Sequence, residues 1–307
     1  MAKEPLIGLG KEAVATTGSS VALFERSMPL LFVVIWATGF VLARFVAPHV
    51  EPFSFLTLRY LLSFLVFAGM AVAVGAAWPA SWAAWRNALL TGVMMQAMFL
   101  GGTFWSTRNG LPVGIAALVG GLQPLLTALL SSPLLGERVR PVQWLGIALG
   151  FLGALLVLVP NLGATGNVPP AALAACLVGT MAMTLGTIWQ KRTAGGVDLL
   201  TNAAVQFLGA AVATAPLAAL TENAGFDGSW QAWAGLAWAV LGLSVGAIWL
   251  LLIMIRRGAV ASVASLFYLV PPVAAVIAFF LFGERLHTIQ IAGMALAAVG
   301  VAIANRR

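Results

Sequence analysis

The sequence predicts an all-α polytopic membrane protein, with ten transmembrane helices arranged as two inverted five-helix repeats. Three observations carry that prediction. Of 307 residues, 61% are hydrophobic and 8% charged, at a mean hydropathy of +1.01; a globular domain carries about 25% charged residues, so this apolar surface calls for lipid. The stretch from Pro112 to Val159 also occurs twice, returning near the C-terminus as SVASLFYLVPPVAAVIAFFLFGERLHTIQIAGMALAAVGVAIA. Gly136-Glu137-Arg138 recurs as Gly283-Glu284-Arg285, a displacement of 147 (284 − 137), and that displacement also carries Pro124 to Pro271, Gln143 to Gln290, Gly146 to Gly293 and Gly153 to Gly300. The third observation is parity: each repeat holds five apolar runs, and an odd number of crossings inverts the second copy in the membrane. Inverted repeats supply two nearly equivalent gates around one central site in many secondary transporters.

Taken in order, residues 1–28 are a polar N-terminal tail, in which Lys3, Glu4, Lys11, Glu12, Glu25 and Arg26 interrupt any signal-peptide core. A membrane-spanning helix needs about 20 mostly apolar residues. Breaking the chain at charges, prolines and glycines gives spans near 29–47, 53–75, 86–106, 111–133 and 141–160 for the first repeat (29–160). The second repeat (161–304) has spans near 170–190, 199–220, 231–255, 259–282 and 287–304, before the C-terminal residues 305–307. Tryptophans in AAWPASWAAWR, Ala76 to Arg86, suggest a surface helix at the membrane interface.

The 16 basic residues against 9 acidic ones form no stripe of the kind that binds nucleic acid; no nucleic-acid partner is expected. With the N-terminus inside, 12 bases fall on the cytoplasmic side and only Arg44, Arg59, Arg108 and Arg285 outside, so the positive-inside rule places both termini in the cytoplasm of an inner (plasma) membrane. Cys176 is the single cysteine, which excludes an internal disulfide. No metal cluster, catalytic group or cofactor motif is present; the expected partners are a small-molecule substrate and membrane lipid, the chain being a monomer or weak homodimer.

Several stretches resemble the EamA-type members of the drug/metabolite transporter superfamily: IWATGFVLARF in the first span, PFSFLTLRY opening the second, and in each repeat a proline followed by GER-x-x-x-x-Gln-x-x-Gly. The resemblance covers about Ser27 to Ala304. It implies a ten-helix inverted-repeat exporter of small metabolites, amino acids or drugs, with exporters of aromatic and other neutral amino acids as the subgroup it most resembles. The motifs mark the scaffold and not the cargo.

Polar residues inside a membrane are expensive and so are functional candidates. No Asp, Glu, Lys or His lies near the middle of any predicted span, which argues against a proton-for-cation pump. Gln96, Phe99 and Thr103 share one face of the third helix. Gln123 precedes Pro124 in the fourth helix, and Tyr268 precedes Pro271 and Pro272 in the ninth. Proline inside a helix frees a carbonyl and bends the axis, so these two helices read either as walls of a central cavity or as bends that serve packing. Trp36, Thr38 and Phe40 of the first helix and Trp249 of the eighth are aromatic and hydroxyl candidates for the same substrate site, against lipid anchoring as the alternative for each tryptophan. Trp189, followed at once by Lys191 and Arg192 after Gln190, reads as an interfacial anchor.

Arg59 reads as part of an outer gate, paired with Glu51 or with helix-end carbonyls, or as a side chain snorkelling to headgroups. The GxxxG spacings at Gly146/Gly150 and Gly242/Gly246 fit close packing within the bundle or a homodimer face. The expected function is secondary export of small neutral or zwitterionic metabolites, amino acids including aromatic ones, by alternating access. The alternatives are export of hydrophobic cations, a passive channel, and an intramembrane hydrolase using Ser244 of the GLSVG segment, a pattern that requires a strand-to-helix turn and a nearby histidine.

Overall fold

The computed structural model describes residues 27–305 apart from 40, 41, 43, 44, 112, 163–167, 224, 258, 259 and 283–286. The N-terminal tail, Phe40, Arg44 and the second Gly-Glu-Arg triplet lie outside the described residues. Ten helical segments follow the predicted order. They are α1 (Ser27–Gly39), α2 (Pro52–Ala73), α3 (Trp82–Arg108), α4 (Val113–Gly121 and Gln123–Leu135), α5 (Pro141–Leu162), α6 (Pro170–Thr193), α7 (Leu199–Thr221), α8 (Trp230–Arg257), α9 (Val260–Ser265, Leu266–Leu269 and Val270–Phe282) and α10 (Thr288–Ala304). Seven of these helices are long and apolar enough to cross a membrane, while α1, α10 and the Val119–Leu135 part of α4 are shorter apolar helices.

Local chemistry sets the helix ends. Pro52, Pro141 and Pro170 occupy first helical positions, where a missing N–H removes no intrahelical bond. Ser81, Asp198 and Ser229 cap α3, α7 and α8 by accepting hydrogen bonds from backbone N–H groups of the first turn. Because Ser81 caps a helix that starts at Trp82, the expected surface helix over Ala76–Arg86 is not separate: its second half is the first turn of α3.

The packing of α5 on α10 demonstrates the inversion. A Cβ on Gly146 would lie 2.3 Å from the Ala304 nitrogen, one on Gly153 2.3 Å from the Ala297 nitrogen, and one on Gly300 2.3 Å from the Gly150 nitrogen. The numbers run in opposite directions, so the helices are antiparallel and touch backbone to backbone. The 147-residue displacement carries positions 146, 150, 153 and 157 to 293, 297, 300 and 304, and so turns each of these contacts into another of the same set. Such an exchange requires a pseudo-two-fold axis perpendicular to both helices, hence in the membrane plane. The same symmetry explains the repeated glutamine. Gln143 and Gln290 each accept from the backbone N–H three residues earlier, at Arg140 and His287, both at 2.9 Å. Their Nε2 groups reach across to the Ala304 carbonyl (3.4 Å) and the Val157 carbonyl (3.2 Å). The glycine face of α5 is thus taken by α10 of the same chain.

Opposite the α5/α10 pair, α2 packs on α7, and Tyr60 faces Phe207 at 6.2 Å. These residues are themselves 147 apart, so the axis passes between them and crosses the middle of the bundle. At the end bearing the α1–α2 and α7–α8 loops, the Glu222 carboxylate accepts from the Phe53 and Ser54 N–H groups, both at 2.7 Å, and His49 lies 2.7 Å from Asp227. At the other end Arg256 donates to the Ala194 carbonyl at 3.1 Å and to the Val197 carbonyl, Lys191 donates to the Arg256 carbonyl at 3.2 Å, Thr201 donates to the Ala77 carbonyl at 2.9 Å, and Glu137 accepts from the Val260 N–H at 3.1 Å. Leucines, valines and phenylalanines such as Leu65, Val212 and Phe280 stand exposed around the outside, an apolar belt suited to lipid.

Candidate functional site

Breaks in regular helix geometry cluster around the axis. α3 widens to a π-helix over Val93–Met98 and α8 over Ala239–Ile248, and the displacement carries 93–98 to 240–245, inside the second segment. Such π segments recur at functional sites because they turn side chains away from the regular helical face. α4 is interrupted at Leu122, just before Gln123 and Pro124, and α9 tightens to a 3₁₀ turn over Leu266–Leu269 before Pro271 and Pro272. Pro124, Pro271 and Pro272 all sit in the first turn of a fresh helical segment, so the missing N–H groups are accommodated by the breaks.

Around these irregular segments lie buried polar atoms without a hydrogen-bond partner among the described residues. Both amide atoms of Gln96, Oε1 of Gln123 and the hydroxyl of Tyr268 are in this state, although Gln96 and Tyr268 are each only 1% exposed. Leaving one such group unsatisfied costs about 1–3 kcal/mol, and native structures contain few of them. Gln123 donates from Nε2 to Thr127 at 3.3 Å and lines a narrow crevice with Thr187 of α6, Leu251 and Ile255 of α8, and Val260, Val263, Ala264 and Phe267 of α9. Phe267 packs edge-on against Trp36 (5.1 Å) and Phe32 (5.4 Å). The crevice is too narrow to hold a water molecule, and brings apolar and aromatic side chains together beside Gln123. Tyr268 rests on Gly150, where a Cβ would approach its ring to 2.5 Å, and so lies close to the axis.

Arg59 lies deeper than the gate reading places it. Its side chain is 6% exposed, and Nε donates to Ser244 Oγ in the α8 π segment at 3.1 Å. Glu51 instead pairs with Arg108 at 2.8 Å, so neither the Glu51 pairing nor snorkelling describes Arg59. The neighbouring Tyr60 donates to the Gln96 carbonyl at 3.0 Å, which also accepts from the Phe99 N–H at the end of the π segment. Ser244 sits in a π-helix and is bonded to an arginine, which is not the strand-to-helix elbow a serine hydrolase needs.

The other predicted residues are dispersed. Phe99 packs on the core beside Gly179 of α6, and Thr103 donates back to the Phe99 carbonyl at 2.8 Å. Thr38 turns to the exterior and accepts from Trp238 Nε1 at 2.9 Å, and Trp249 is 37% exposed on the bundle surface. Trp189 is half-buried near the C-terminal end of α6, with its Nε1 enclosed and without a hydrogen-bond partner among the described residues. Sequence reasoning also missed a second polar cluster, where Gln206 of α7 donates to Gln190 of α6 at 2.8 Å, beside Asn202 on the same helix. Gln206 is the repeat counterpart of Arg59. The signal was present as amides within apolar runs, but only folding joins them.

Known proteins resemble this arrangement. The two halves, residues 26–159 and 170–306, each match the EamA-like transporter family. The uncharacterized inner membrane transporter YedA of Escherichia coli is 30% identical over 66% of the chain, and the chain spans 65% of that protein's length. An uncharacterized transporter of Synechocystis is 25% identical over 89% of the chain and 87% of its own length. A probable terminal-alkyne amino-acid exporter of Streptantibioticus cattleyicolor is 31% identical over 64% of the chain and 65% of its own length. A solved crystal structure, described without a function, shares the fold at a TM-score of 0.77 and 21% identity, covering 91% of this chain and 96% of its own. With two inverted five-helix repeats, each matching the family over nearly its whole length, this multi-pass membrane protein belongs to the EamA-like transporter family.

Proposed function

We propose that the protein is a secondary carrier that exports small neutral or zwitterionic metabolites, amino acids including aromatic ones, by alternately exposing the centre of the bundle to the two sides of an inner membrane. The observation that carries this reading is the set of unpartnered buried polar atoms on Gln96, Gln123 and Tyr268, gathered on helices with broken geometry near a pseudo-two-fold axis. Midplane sites between inverted repeats, built on discontinuous helices, are how many secondary carriers hold cargo. Trp36 and Phe267 supply an apolar wall, and the relative named as an amino-acid exporter supports the substrate class. The basic-residue distribution supports cytoplasmic termini.

Among the described residues, Glu51, Glu137, Asp198, Glu222 and Asp227 all lie at or beyond helix ends. A proton-exchange cycle therefore has no carboxylate at the centre among the described residues, and downhill facilitation stands beside ion coupling as a mode to test. Arg59 weighs against hydrophobic cations as cargo, since a buried positive charge repels them.

The test is efflux from liposomes holding only this protein, loaded with amino acids and quaternary cations, with and without a pH gradient. Saturable amino-acid efflux that is lost in Gln123→Leu is expected, and its response to the gradient separates the two modes. Cation efflux alone, or non-saturating flux, refutes the reading.

A further inference from the structure

We propose that Arg59 is the carboxylate-recognition residue of the transport site, so that the cargo is an α-amino acid or a similar small carboxylate bound end-on by the guanidinium. The inference rests on the carrier reading and names the group by which that site selects its cargo.

An arginine inside an apolar bundle is costly without a counter-charge, and Arg59 has none among the described residues. The acids near the same end of the bundle are committed elsewhere, Glu51 to Arg108 and Glu222 to the first N–H groups of α2. Among the described residues the guanidinium makes one hydrogen bond, from Nε to Ser244. That bond fixes the guanidinium plane and leaves the Nη1/Nη2 edge, the fork that pairs with both oxygens of a carboxylate. A lysine in its place would carry the charge but not the fork.

A partner for the other end of a zwitterion is held to the same helix turn. Tyr60 fastens the Gln96 backbone to α2, and the Gln96 side chain has a buried carbonyl oxygen, an acceptor suited to an ammonium group, with no partner of its own. The apolar end has a route as well. Ser244, Ile248, Leu251 and Ile255 are all buried along α8. Leu251 and Ile255 line the crevice beside Phe267, so one helix carries both the Arg59 partner Ser244 and part of the crevice wall. The repeat counterpart of Arg59 is the neutral Gln206, already bonded to Gln190, so only one half of the pseudo-symmetric site carries charge, and a zwitterion has one orientation in it.

The experiment loads proteoliposomes with equimolar amino acids and their primary amides, which keep the side chain and the amine but lose the carboxylate, and follows efflux of both by mass spectrometry. The wild type is expected to export acids over amides by at least about 30-fold, the lower bound for truncating a buried charge-paired contact. Arg59→Gln should bring that ratio near one, and Arg59→Lys should keep a preference for acids at a reduced rate. Equal export of acids and amides by the wild type overturns the role of Arg59 while leaving the carrier reading intact. So does an undiminished acid preference in a monodisperse Arg59→Gln protein. Absence of efflux for both classes overturns the carrier reading itself. Where Arg59→Gln does not fold, the wild-type ratio decides.

Discussion

Replacing Gly146 by alanine tests the pseudo-symmetric seam between α5 and α10. The added methyl would stand 2.3 Å from the Ala304 nitrogen and 2.6 Å from the Gly300 carbonyl oxygen, where ordinary contact is about 3.5 Å. Both obstacles are backbone, so no side chain can swing aside and the helices must part by roughly 1 Å along their closest line. Overpacking of this kind costs about 1–3 kcal/mol. Gly69 provides the control, since it lies within α2 with nothing inside 4 Å of an added Cβ; alanine there should gain about 0.5–1 kcal/mol of helix propensity. Thermal melting of detergent-solubilised protein reads both, at about 2–4 °C per kcal/mol for chains of this order of size. Gly146→Ala should melt several degrees lower and Gly69→Ala slightly higher. Gly153→Ala and Gly300→Ala, which occupy matching places with the same 2.3 Å approach, should lose equal amounts. The Gly146→Ala/Gly300→Ala double variant should lose less than the sum, because the first methyl has already opened the gap the second requires. Equal melting of Gly146→Ala and Gly69→Ala would refute the backbone-to-backbone seam.

Two further outcomes follow from the ties at the ends. Glu222→Ala removes the acceptor for two N–H groups at the start of α2 and should cost about 1–2 kcal/mol, read as a lower melting temperature that Glu222→Gln partly restores; no change would mean that those N–H groups are satisfied by solvent. Single cysteines at Arg138 and Arg285, in a Cys176→Ala background, should react with an impermeant thiol reagent from opposite faces of the membrane. Labelling from the same face would contradict the inverted topology.

The repeat, the ten spans and the polar residues Gln96, Gln123 and Tyr268 were legible in the sequence because lipid enforces a coarse rule. A run of about 20 apolar residues is a helix, and an amide inside it stands out against its neighbours. Arg59 was legible as an intramembrane charge but not as a partner of Ser244, because the two are 185 positions apart and nothing local to either names the other. Thr38 looked like a cavity residue by its place in the span, yet it bonds to Trp238 at the periphery. The direction a side chain takes depends on which neighbour covers that face of the helix, and in a helix apolar on all sides the pattern does not distinguish faces. The π segments of α3 and α8 gave no warning either, since they arise where two helices must accommodate each other.

What the sequence by itself determined was the membrane class, the count and order of spans and the inversion of the halves, all consequences of hydrophobic length and parity. Tertiary structure alone decided which polar groups found partners. At the exposed end Glu51 went to Arg108, and among buried groups Gln206 went to Gln190 and the Arg59 guanidinium to Ser244. Those pairings are set by the close approach of helices far apart in the chain, and burial makes a missing partner costly.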